Sequence, residues 1–168
     1  MIKLKTFGSF TVGNGLTSVQ EGAWRSEKLE KLFVYLAMNR NRGVCIEDIS
    51  EAIWQVEEET DNPVGALKNL AYRLRKALRD ASFGEECIVS VRGGLYKWND
   101  DVEVTIDVEE FDRYINEAEM AFCRSKETAI ESYEKAIALY HGDFLPLRTD
   151  THWFMTLNAF YHSRYVNT

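Results

Sequence analysis

Asn62-Pro63-Val64-Gly65-Ala66-Leu67-Lys68-Asn69-Leu70-Ala71-Tyr72-Arg73-Leu74-Arg75-Lys76-Ala77-Leu78-Arg79 is the stretch on which the reading of the fold turns. Pro63 suits the first turn of a helix, where its missing N–H is not needed, and it biases Asn62 toward the extended backbone of an N-cap. At about 100° per residue, Val64, Leu67, Ala71, Leu74 and Leu78 fall within an arc of roughly 80°, and Asn69, Tyr72, Arg73 and Lys76 gather on the other side. Lys68, Arg75 and Arg79 flank that polar face. A helix of this kind can bury one side and offer the other to a partner.

Downstream, Phe83-Gly84 ends the helical pattern, and Ile88-Val89-Ser90-Val91 and Tyr96-Lys97-Trp98 read as the two arms of a hairpin turning at Gly93-Gly94. Arg92 sits beside the tip. Upstream, Ile46, Ile49, Ala52 and Ile53 define a short helix ending at Trp54, and Leu29, Leu32, Phe33, Leu36 and Ala37 define a longer one opening at Ser26. Between the short helix and Asn62, the run Glu57-Glu58-Glu59 reads as a solvated loop. Before them all, Ile2, Leu4 and Thr6 alternate with lysines, and glycines punctuate short runs as far as Val19, the pattern of a small antiparallel sheet.

Sheet, helix, short helix, basic capped helix and glycine-tipped hairpin form the layout of a winged helix-turn-helix. In that arrangement the third helix enters the major groove of double-stranded DNA, and the hairpin reaches phosphates or the minor groove beside it. Asparagine pairs well with adenine and arginine with guanine, so Asn69, Tyr72 and Arg73 are the candidate base contacts. Lys68, Arg75, Lys76 and Arg79 are candidate contacts to the DNA backbone, with Arg92, Gly93 and Gly94 as the wing. Two alternatives stay open: Tyr72 could lie across the helix and pack, and Arg92 could pair with Glu85 or Glu86.

Charge is distributed in keeping with this. The 168-residue chain is net −7, but residues 62–97 carry seven basic against three acidic side chains. Residues 1–106 hold 14 basic and 16 acidic groups and residues 107–168 hold 6 and 11, so the second part is the more acidic. No run approaches the length of a membrane span, and the strand-like start differs from a signal peptide, so the expected setting is the cytoplasm, with no membrane partner. Cys45, Cys87 and Cys123 are odd in number and widely spaced, which reads as small buried residues without disulfide or metal.

Strand-like periodicity stops near Asn99 to Ile106. The expected domains are therefore 1–106, an α+β winged helix-turn-helix, and 107–168, an all-α segment. Asp107 followed by Glu110 resembles a capping box. Val108, Phe111, Tyr114, Ile115, Ala118 and Phe122 mark one helix. Ala129, Ile130, Tyr133, Ala136, Ile137 and Tyr140 mark its antiparallel partner. A third helix, from Trp153 to Tyr165, has no evident partner, and the chain reads as part of a longer protein. Trp24, Trp54 and Trp98 read as core, and Trp153, Phe154, Phe160, Tyr161 and Tyr165 as core or partner surface.

Tyr72-Arg73-Leu74-Arg75-Lys76-Ala77-Leu78 with Val91-Arg92-Gly93-Gly94-Leu95-Tyr96 resembles the recognition helix and wing of the OmpR-type DNA-binding domain. Adding Trp24-Arg25-Ser26-Glu27-Lys28, Ile49 to Trp54, Asp107-Val108-Glu109-Glu110-Phe111 and Ala136 to Leu145, the chain is similar over nearly its whole length to the Streptomyces antibiotic regulatory protein family. Leu95 stands where the wing pattern usually has glycine, and the helical segment is shorter than the family's. The resemblance implies a transcription activator binding direct repeats near promoters. It also implies a tetratricopeptide-like bacterial transcriptional activator domain that supports self-association or contact with RNA polymerase.

Catalysis has no footing. The nucleophile-elbow, P-loop, zinc-protease and dinucleotide motifs are absent, and His152 beside Asp150 lacks a nucleophile. No cofactor is expected. The competing class is a winged helix that binds protein instead of DNA, as an adaptor.

Overall fold

The computed structural model describes residues 1–58, 60–84 and 86–168. The chain opens with three short strands, β1 (Ile2–Lys5), β2 (Thr11–Gly13) and β3 (Ser18–Gln20), and continues through α1 (Glu27–Met38) and α2 (Ile46–Ile53). After a 3₁₀ turn at Val56–Glu58 come α3 (Pro63–Asp80), β4 (Ile88–Val91), β5 (Leu95–Trp98) and β6 (Val104–Ile106). These elements form the head. The tail consists of α4 (Asp107–Ala121), α5 (Lys126–Leu139), a 3₁₀ turn at Pro146–Arg148, and α6 (His152–Val166).

The first sheet has the order β3-β2-β1-β6, and β6 runs parallel to β1, with Ile2 opposite Val104 and Leu4 opposite Ile106. The first three strands pair antiparallel as expected, whereas β6 corrects the expectation of a boundary without strands. Three residues are too few to show alternation, and a parallel partner a hundred residues away leaves no local signature. The strand that leaves the head thus pairs with the strand that enters it.

Asp107 does not build a capping box. Ile106 occupies the cap position of α4, and the buried Asp107 carboxylate turns back to the residues that follow β1. There it accepts from the Thr6 N–H at 2.8 Å, the Phe7 N–H at 2.9 Å and the Thr6 hydroxyl at 2.7 Å. It also accepts from the Val108 N–H at 3.0 Å. Burial raises its pKa, and these donors oppose the rise.

The last helix does have a partner, which sequence reading missed. Trp153 meets Tyr35 of α1 edge to face at 4.9 Å, and Thr151 donates its hydroxyl to the Ala52 carbonyl of α2 at 2.7 Å. Phe154 and Tyr161 are buried, Trp153 and Tyr165 half-buried, and Phe160 is exposed. α4 and α5 pack along each other as the expected pair. Apolar residues of head and tail form one continuous core, in which Phe7 of the head contacts Phe111 at 5.4 Å and Tyr161 at 5.7 Å.

Charged residues cross the same junction. Arg148, in the second 3₁₀ turn, donates to Glu30 through Nε at 3.1 Å and Nη2 at 2.5 Å, and both side chains are buried. Buried Lys31 pairs with Asp150, which also accepts from Gln55 at 2.8 Å. Arg40 grips Glu109 with two bonds of 2.6 and 2.7 Å.

Smaller corrections follow. Trp98 is buried, but Trp24 and Trp54 are only partly so. Cys87 is buried, Cys45 is half-buried, and Cys123 is exposed in the turn after α4. All three are free. Glu57 and Glu58 are exposed as expected, and Glu58 takes Lys28 at 2.7 Å; Glu59 lies outside the described residues.

Candidate nucleic-acid interface

The cap of α3 forms as its sequence predicts, with Asn62 Oδ1 accepting from the Gly65 N–H at 2.9 Å and Pro63 in the first turn. Leu67, Leu70, Ala71, Leu74 and Leu78 are buried and set the helix on α1 and α2. Val64, expected in the apolar arc, is exposed in the first turn, and Leu70 takes a place in the core instead.

The opposite face carries Lys68, Asn69, Tyr72, Arg73, Lys76 and Arg79, all exposed. Tyr72 is 63% exposed, so it projects outward and does not pack across the helix. None of the ion pairs among the described residues involves Lys68, Arg73, Lys76 or Arg92. Arg92 therefore has no pair with Glu86, and the Glu85 alternative lies outside the described residues. An anion meeting this face need displace no described carboxylate from those four cations.

The C-terminal end of α3 is held by a contact no local pattern announces. Asn14 Nδ2 donates to the Ser82 carbonyl at 3.1 Å and the Thr17 hydroxyl to the Ala81 carbonyl at 2.9 Å. The β2–β3 turn thus satisfies carbonyls beyond the end of the helix, a role usually left to local caps or water.

The wing is the β4–β5 hairpin, in register from Ile88 opposite Trp98 to Val91 opposite Leu95. Its tip is Arg92-Gly93-Gly94, and both glycines have left-handed φ, +85° and +75°, which side chains strain to adopt. Nothing lies within 4 Å of where a Cβ would stand on either, so the tip is open to solvent. At its base the hairpin is stitched to the segment before α2 by reciprocal bonds between Val44 and Tyr96, 2.7 and 2.9 Å long. Leu95, in the place of the usual glycine, is half-buried and lies against Gly43. Arg75 differs from its neighbours on α3. It is half-buried and directed at β4, donating to the Ile88 carbonyl at 3.2 Å and to the Ser90 hydroxyl at 3.3 Å.

Elsewhere the candidate dyad of His152 and Asp150 does not form. Asp150 is engaged by Lys31 and Gln55, and the His152 ring lies 3.5 Å from the Thr156 hydroxyl. No helix among the described residues is long and apolar enough to cross a membrane.

Residues 21–98 match the family model described as "Transcriptional regulatory protein, C terminal". Among solved structures, the chain is similar to Mycobacterium tuberculosis EmbR, described in complex with a low-affinity phosphopeptide, with a TM-score of 0.79 at 19% identity. That match covers 98% of this chain and 42% of the EmbR chain, so the present chain spans less than half of the relative's length. No curated protein matches. The matched segment is similar to the winged-helix DNA-binding domain of OmpR-type transcriptional regulators, and the fold, a small sheet with a winged-helix head and a helical tail, is similar to that of EmbR.

Proposed function

We propose that the chain is a cytoplasmic, sequence-specific transcription activator that lays α3 in the major groove of double-stranded DNA. Asn69, Tyr72 and Arg73 read base edges, Lys68, Lys76 and Arg79 meet phosphates, and Arg92 enters the groove or meets phosphate from the Gly93-Gly94 tip. The observation that carries this reading is the face of α3, where an amide, a phenol and four cations stand exposed on a helix whose other side is buried. The tail, more acidic than the head, adds no phosphate affinity. Its role is self-association on direct repeats or contact with RNA polymerase, as in the Streptomyces antibiotic regulatory protein family with its tetratricopeptide-like domain.

Selection of bound sequences from a random duplex pool tests the reading and supplies the site. A defined motif, bound with an affinity that falls steeply with salt, is expected, because each neutralised phosphate releases counterions. No enrichment, or binding to protein that varies little with salt, would replace it with the adaptor reading.

A further inference from the structure

Arg75 sits on α3 two residues from Arg73, yet it is half-buried and its guanidinium is turned to β4. Its Nε donates to the Ile88 carbonyl at 3.2 Å and an Nη2 to the Ser90 hydroxyl at 3.3 Å, both on β4. The geometry of the hairpin explains why the Ile88 carbonyl is free to receive it. The Asn99 N–H donates to the Cys87 carbonyl at 2.8 Å, which makes residues 87 and 99 a hydrogen-bonded pair. Antiparallel alternation then turns the backbone groups of Ile88 and Ser90 away from β5, toward the outer edge of the hairpin. Among the described residues that edge has no further strand, since β4 pairs with β5 alone. A two-stranded hairpin is barely stable unless something packs on it. The base here is fixed by buried Ile88 and Trp98 and by the Val44 bridge, while Val91 and the tip beyond it are exposed. Arg75 is the polar link from α3 to the stretch between base and tip.

We propose that Arg75 is a positioning residue, a strut that holds the wing at a set distance from the recognition helix, so that base reading by α3 and the contact made by Arg92 are energetically coupled. The coupling rests on the DNA-binding reading; the strut does not. Arginine is required because a planar fork can satisfy a carbonyl and a hydroxyl together, whereas the ammonium of lysine is a point donor on a flexible stem.

Hydrogen exchange on the full free chain tests the strut without DNA. In Arg75→Ala and Arg75→Lys, the amides of Val89, Val91, Leu95 and Lys97 should exchange faster, with α4 and α5 unchanged. Ser90→Ala, which leaves Arg75 in place, should produce a smaller change in the same direction, and it reports on the strut should either arginine variant fail to fold. Wing protection equal to the parent in the arginine variants, or in Ser90→Ala if those do not fold, would overturn the strut.

Binding to the selected duplex tests the coupling. Arg75→Lys should weaken binding nearly as much as Arg75→Ala. Because residues in one network share their effects, Arg75→Ala with Arg92→Ala should bind about five-fold or more tighter than the product of the single losses predicts. The salt slope should fall by about 1 in the double variant, and an independent phosphate contact at Arg75 would bring that to about 2. Additive losses, with affinity retained in Arg75→Lys, would overturn the coupling. If no duplex is selected at all, the DNA reading fails and the exchange result still decides the strut.

Discussion

Lys31 and Arg148, at the junction of head and tail, are buried with carboxylates against them, whereas Lys68, Arg73 and Arg92 project from α3 and the wing and pair with no described carboxylate. The same two residue types therefore do opposite work in one molecule. A buried cation must be neutralised on the spot, because leaving it unpaired in the interior costs several kcal/mol. An exposed cation keeps its water and stays ready for an outside anion. Structure and recognition are separated here by whether the charge is met from within.

Four substitutions test this contrast. The largest effect is expected from Arg148→Ala, which strands the buried Glu30 carboxylate and should lower stability by about 3 to 5 kcal/mol. Urea unfolding checks it, and a loss below about 1 kcal/mol would mean that the junction tolerates an unpaired charge. Next is Asp107→Ala, which deprives the Thr6 and Phe7 N–H groups of their acceptor. Since a buried donor left unsatisfied costs about 1 to 3 kcal/mol, the melting temperature should drop clearly, while the motif selected by the folded protein stays the same. An altered motif would show that the junction reaches the reading face.

Arg73→Ala should leave the melt near the parent and cost about 1 to 3 kcal/mol of discrimination at one base of the motif. Unchanged selection and affinity in this variant remove Arg73 from the base readers. The smallest effect belongs to Arg92→Ala. It should weaken different operators by similar factors and make the plot of log affinity against log salt shallower by about 1, with stability within about 0.5 kcal/mol of the parent. A base-specific change there would turn the wing from a shape reader into a sequence reader.

What could be read directly from the chain was local. The Asn62-Pro63 start of α3, the apolar spacing that buries Leu67, Leu74 and Leu78, the glycine tip of the wing and the helical periods of α4 and α5 all depend on residues within a turn or two of one another. The polar face of α3 was legible for the same reason, including the direction of Arg73. Each feature is specified by backbone preferences and side-chain period, which act whether or not the rest of the protein is present.

Everything decided by residues far apart in the chain needed the tertiary structure. A parallel strand at Val104–Ile106 is defined by its partner β1, and Asp107 looked like a cap until Thr6 and Phe7 were seen to fill its carboxylate. The apolar run of α6 could not name α1 and α2 as its cover. Opposite charges at Glu30 and Lys31 gave no sign that Arg148 and Asp150 would meet them. Asn14 and Thr17 lie between β2 and β3, and only the packed sheet brings them to the end of α3. Arg75 read as one more cation on a basic helix, and only the position of β4 turns it inward. Periodicity shows which side of an element avoids water, but a hydrogen bond or ion pair needs both partners in place, and chain folding alone brings together groups a hundred residues apart.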